Sequence, residues 1–175
     1  HYHEVRQWMD AAAADAPDAP AELRATVLLG SGRLAFLQCD YVAAVRRLEA
    51  ALRIFRDASD ERGIADTLQV LGSVAREHGR YARSMELHAE ALALAEAIGD
   101  RWAAARAHGY LGFASWLQRD FAGASAECAT ALGMFRELGD VEGIAWSLIS
   151  LAAVPRVAGD RGPADQRPGA PLPVT

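Results

Sequence analysis

The stretch Asp60–Asp100 reads DERGIADTLQVLGSVAREHGRYARSMELHAEALALAEAIGD, and it decides the fold. Ile64, Leu68, Leu71, Val74 and Ala75 recur at spacings of three and four, the period of a helix with one apolar face. Asp60 and Glu61 stand at its start, where a carboxylate accepts from free N–H groups and meets the positive end of the dipole. His78-Gly79 marks the stop, because glycine enters the left-handed conformation that closes helices. A second helical pattern passes through Tyr81, Met85, His88, Leu92 and Ala95. It closes at Gly99-Asp100, where Gly ends one helix and Asp can cap the next. The unit is a pair of antiparallel helices of about four turns each, joined by short turns.

The unit repeats. Blocks of 40 residues begin at His1, Tyr41, Tyr81 and Phe121 with no gap between them. Tyr41, Tyr81 and Phe121 share one column, Ala25, Ala65, Ala105 and Ala145 another, and Gly32, Gly72, Gly112 and Ala152 a third. A fixed period in this range marks a solenoid, in which each unit buries its apolar face only against its neighbours. The expected fold is all-α, a right-handed superhelix of helix pairs. Its expected units are 22–57, 61–98 and 101–138, with a last helix at 141–153.

Composition sets further bounds. The 175 residues are 51% apolar and 23% charged, enough to bury a core. The net charge of −5 argues against direct nucleic-acid binding. No apolar run approaches the ~20 residues that span a bilayer, so no membrane partner is expected. Lys and Asn are absent and all 18 basic residues are Arg, which points to a high-GC, bacterial coding sequence. Cys39 and Cys128 stand in different columns of non-adjacent units, which suits a reducing, cytoplasmic setting. The chain begins in mid-pattern without Met, so we expect a piece of a longer protein.

Leu71-Gly72, Ala75, Gly79, Tyr81 and Ala91 resemble the tetratricopeptide repeat, with its Leu-Gly pair, mid-helix Ala and inter-helix Gly-x-Tyr. The resemblance covers roughly residues 22–153. The period is 40 where the family's is 34, the first-position Trp is replaced by Leu68, His108 or Leu148, and Gly-Asp stands for the terminal Pro. Gly99-Asp100-Arg101-Trp102 and the segment from Gly139 to Trp146 look like the repeat regions of large actinobacterial transcriptional regulators. That resemblance implies a nucleotide-switching ATPase elsewhere in the polypeptide, since no GxxxxGK[ST] loop is present here.

The pattern loosens at both ends. Pro17 and Pro20 interrupt an alanine-rich run, so residues 1–21 should form a partial helix and a connector. Pro155 removes a helical hydrogen bond and should stop the last helix near Ala153. Residues 154–175, with Pro163, Pro168, Pro171 and Pro173, are expected to form a mobile tail. The face of the last helix that carries Ile144, Leu148 and Leu151 should then be half covered, and could serve a homodimer.

In the family the first helix of each unit lines the concave groove. The matching columns supply Arg33, Phe36 and Leu37; Gln69, Val70, Ser73 and Arg76; Arg106, Tyr110, Phe113 and Trp116; and Trp146, Ile149 and Ser150. Aromatic and Arg side chains are the usual anchors of protein recognition. They can equally pack structurally between superhelix turns. The chaperone-type carboxylate clamp would fall on Leu29, Arg33, Val70, Arg106 and Tyr110, of which only Arg106 carries a charge where that clamp needs one.

The remaining candidates have structural readings. His88 and Cys128 fall in a column expected to be buried with Trp8 and Leu48, and His108 takes a core Leu position. Asp66 and Glu77 with Arg76 are expected as solvated helix charges. No nucleophile–base set and no metal-ligand spacing stands out, so neither catalysis nor a cofactor is expected. Three functions remain open: docking of a peptide or neighbouring domain in the groove, stacking of a sugar or other small inducer on Tyr110, Phe113, Trp116 and Trp146, and a structural spacer or dimerisation element.

Overall fold

The computed structural model describes Glu4, Val5, Trp8, Met9, Ala11 and residues 19–154. From residue 19 to 154 seven helices follow one another: α1 (Ala21–Leu37), α2 (Tyr41–Asp57), α3 (Glu61–Glu77), α4 (Tyr81–Ala97), α5 (Arg101–Leu117), α6 (Phe121–Leu138) and α7 (Val141–Ala153). No strand occurs among the described residues. None of these helices is long and apolar enough to cross a membrane. Most of the partial helix and connector expected at 1–21, and all but Val154 of the tail expected at 154–175, lie outside the described residues.

Each helix packs against the next, and the odd-numbered helices α1, α3, α5 and α7 also touch one another in series. The even-numbered helices make no such contacts with each other. The odd helices are therefore the inner layer and the even ones splay outward, which gives the stack its concave and convex sides. The architecture is an all-α solenoid of helix pairs.

The turns explain the regularity. Every 20th residue from Cys39 to Gly139 has positive φ: Cys39 (59°), Ser59 (54°), Gly79 (69°), Gly99 (72°), Arg119 (65°) and Gly139 (69°). The N–H of the following residue then reaches the carbonyl five back, as in Asp40 to Ala35, Asp100 to Ala95 and Asp140 to Phe135, at 2.8–3.0 Å. This left-handed closure satisfies carbonyls that a helix end leaves free. The residue after it caps the next helix. Asp40, Asp60, Asp100, Asp120 and Asp140 each accept an N–H from three residues on. Arg80 holds that place before α4 and gives no side-chain cap.

Small residues set the layer spacing. Ala25, Ala65 and Ala105 are buried, and a methyl on Gly72 would lie 2.7 Å from the His88 ring, as one on Gly32 would lie 2.8 Å from Leu48. Leu48, His88 and Cys128 are buried as expected of their column, but Trp8 is 71% exposed. The column is buried only where an inner helix covers it, and Trp8 precedes the first described pair. His108 is half-buried, with Nδ1 2.6 Å from Glu127 Oε2. The pairing expected around Arg76 is also corrected: Asp66 binds Arg33 on the preceding inner helix at 3.1 Å, while Arg76 holds Glu77 at 2.7 Å. On α7, Leu148 and Ile149 are exposed, and so is Ala145, whose counterparts in the earlier units are buried.

Candidate functional site

A cleft of about 690 Å³ opens on the concave side between α5 and α7, with Arg76 of α3 at its edge. Its placement follows from helical spacing. Trp102, Arg106, Tyr110 and Phe113 recur at four, four and three along α5, so they share one face. Trp146, Ile149 and Ser150 do the same on α7. The floor is closed because Gly109 lacks a side chain: a methyl there would clash with the edge of the Trp146 ring. That indole lies directly on the α5 backbone and meets Tyr110 edge-on, with centroids 5.3 Å apart.

Two tryptophan N–H groups bound the cleft along its length. Trp102 Nε1 donates to Asp140 Oδ2 at 2.8 Å, and Trp116 Nε1 donates to the carbonyl of Ala153 at 3.2 Å. The two residues are 14 positions apart on α5, about 21 Å at the helical rise. Phe113 and Trp116 lie parallel, 5.8 Å apart and 11° from coplanar.

The electrostatics are uneven. Arg76 lies 4.9 Å from the centroid of the Phe113 ring and is neutralised by Glu77. Arg106 sits 4.6 Å from the Trp102 centroid and 5.8 Å from that of Tyr110, with no carboxylate in ion-pair distance among the described residues. Asp140 is occupied: hydrogen bonds from the Gly143 N–H, the Trp102 indole and the Glu142 N–H hold its carboxyl below the usual range. Behind the floor His88 is fully buried, its ring 4.9 Å from Tyr110 and nearly parallel. Burial first, then the charges of Arg76 and Arg106, push its pKa down to about 3. The cleft therefore offers charge pairing at Arg106 and stacking on five aromatic rings.

Of the groove residues read from sequence, the fold brings together Arg76, Arg106, Tyr110, Phe113, Trp116, Trp146, Ile149 and Ser150. The others lie elsewhere. Arg33 is paired with Asp66, and Phe36 packs 6.1 Å from the Tyr41 ring in the first core cluster. Gln69 and Ser73 are buried; Gln69 Nε2 donates to the Ala103 carbonyl across to α5, and Ser73 Oγ donates to the Gln69 carbonyl. Val70 is buried and Leu37 is exposed. Sequence reading missed Trp102, Asp140 and Glu142. The signal was present, since Trp102 stands four residues before Arg106 on the same face.

The model of the family described as tetratricopeptide repeat matches residues 23–97. The crystal structure of BtubC (BKLC) from P. vanneervenii superposes with a TM-score of 0.77 at 17% identity, covering 87% of this chain and 65% of that one. The apo form of RapI superposes with a TM-score of 0.75 at 14% identity, covering 85% of this chain and 42% of that one. The chain thus spans about two thirds of the first protein and under half of the second. No curated protein matches it significantly in sequence.

Proposed function

The chain being a tetratricopeptide-repeat protein, we propose that it is an interaction scaffold that docks a peptide or a neighbouring domain on its concave side, centred on the α5–α7 cleft. The observation that supports this is the concentration of half-exposed anchors there: Arg106, Tyr110, Phe113, Trp116 and Trp146 face one opening. Residues of these types carry most of the energy in protein recognition. In its larger setting the scaffold is the sensor or regulatory arm of a bacterial transcriptional regulator. Occupancy of the cleft would shift that arm between two arrangements, by as much as the occupant prefers one of them. The sequence phrases around Gly99 and Gly139 are the support for that setting.

The test is selection of displayed random peptides on the 175-residue chain, followed by titration of the winners against a Phe113→Ala/Trp116→Ala variant. Docking in the cleft requires peptides that lose at least about tenfold, or ~1.4 kcal/mol, on the double variant. Peptides that bind both proteins equally would place docking elsewhere.

A further inference from the structure

We propose that the α5–α7 cleft binds a small planar aromatic carboxylate, its carboxylate on Arg106 and its ring against Phe113, Trp116 and Trp146. This goes beyond partner docking and does not depend on it, although the two would share one opening.

Size comes first. The cleft's 690 Å³ falls within the ~300–1,000 Å³ typical of small-molecule sites. Both ends are tied by hydrogen bonds, Trp102 to Asp140 and Trp116 to Ala153, so the opening is bounded along α5 rather than running the length of the groove.

Charge comes next. Arg76 already has Glu77, whereas Arg106 is held over the Trp102 ring with no carboxylate partner among the described residues. A guanidinium presents a planar fork that takes a carboxylate through two hydrogen bonds. Stacking on Trp102 and Tyr110 fixes that fork in advance, so little side-chain entropy remains to be lost on binding. The depressed pKa of His88, caused by burial first and by Arg76 and Arg106 after it, agrees with positive potential on this side of the floor.

The rest of the lining favours a flat apolar ring beside that carboxylate. Of the two lining carboxylates, Asp140 is already filled by the Trp102 indole and two backbone N–H groups, and Glu142 is solvent-exposed. A cation would have to sit beside Arg106. A flat ring finds the parallel Phe113–Trp116 pair and the exposed Ile149 side chain instead.

The probes are 2-naphthoate and its uncharged isostere 2-naphthamide, titrated into the chain while the tryptophan indole N–H resonances are followed by NMR. Naphthoate should move the Trp116 and Trp146 signals and bind at least about tenfold more tightly than the amide, a gap that added salt narrows. Arg106→Gln should bring naphthoate down to the level of the amide and leave the amide unchanged. Phe113→Leu should weaken both probes alike, and it serves as the second variant if Arg106→Gln fails to fold. Equal binding of the two probes, or naphthoate indifferent to Arg106→Gln, overturns the proposal, as does an absence of shifts at low millimolar concentration. Such a failure leaves partner docking standing, because that is read from selected peptides and not from these probes.

Discussion

The imidazole of His88 lies on the phenol ring of Tyr110, centroids 4.9 Å apart and planes 17° from parallel. Neither ring nitrogen has a hydrogen-bond partner among the described residues, and the side chain is fully buried. An unpaired buried polar group costs about 1–3 kcal/mol. Burial chiefly, then Arg76 and Arg106, lower the folded pKa from 6.5 to about 3. Between those values only the unfolded chain takes up the proton. Stability is therefore full above pH ~6.5 and should fall as pH drops towards 3, by up to about 1.4 kcal/mol per unit from this group. Leu48 fills the same column over Gly32, so His88→Leu should fit. We expect it to raise stability by about 1–2 kcal/mol near pH 6 and to flatten the acid limb. Denaturant melts of both proteins from pH 7 to 4 check this, and parallel acid limbs would refute it.

That same column shows what was legible in the sequence. The 40-residue period placed Leu48, His88 and Cys128 in the core, because one column sees one environment in a regular stack. It misplaced Trp8, which has no preceding described unit to cover it. Groove residues were harder, because a fraction of a helical turn separates the open face from the contact between inner helices. Gln69 and Ser73 fall on the buried side of that divide, and Arg76 and Phe113 on the open side. The Trp102–Asp140 and Trp116–Ala153 hydrogen bonds join residues 38 and 37 apart. No local periodicity encodes such pairs.

Arg80 breaks the capping series. Its backbone (φ −86°, ψ 61°) nearly matches that of Asp40 (−86°, 70°), yet it offers no acceptor to the first turn of α4. Arg80→Asp should restore the cap and replace a cation at the positive end of the helix dipole. The expected gain is about 1 kcal/mol, read as a higher denaturant midpoint with unchanged slope. No gain would mean that Arg80 has a stabilising role of its own.

Gly109 and Gly133 make a matched pair. Both are helical, but a methyl at Gly109 would clash with the edge of the Trp146 ring whereas one at Gly133 meets nothing within 4 Å. Gly133→Ala should therefore gain up to about 1 kcal/mol from helix propensity. Gly109→Ala gains the same and then loses more, because the indole must leave the α5 backbone; a net loss of about 1–2 kcal/mol is expected. The Trp146 indole resonance should shift in Gly109→Ala and stay put in Gly133→Ala. Equal melting temperatures for the two variants would mean that α7 is not seated on α5 through this contact.

The turn positions carry the last prediction. Ser59 and Arg119 hold φ of 54° and 65°, where the equivalent turns use Gly79, Gly99 and Gly139. Both side chains are exposed, so nothing is lost from the core by removing them. For a residue with a Cβ that conformation costs about 1–2 kcal/mol. Glycine removes that cost but adds about 0.5–1 kcal/mol of chain entropy to the unfolded state. Ser59→Gly and Arg119→Gly should therefore each stabilise by about 0.5–1 kcal/mol, the difference of those two effects. Ala58 is the control: it sits next to Ser59 with φ −85°, so Ala58→Gly has only the entropy loss and should destabilise. Opposite signs at adjacent residues isolate the backbone conformation as the cause, since solvent exposure and sequence position are shared. Like signs at 58 and 59 would attribute the change to the unfolded chain alone.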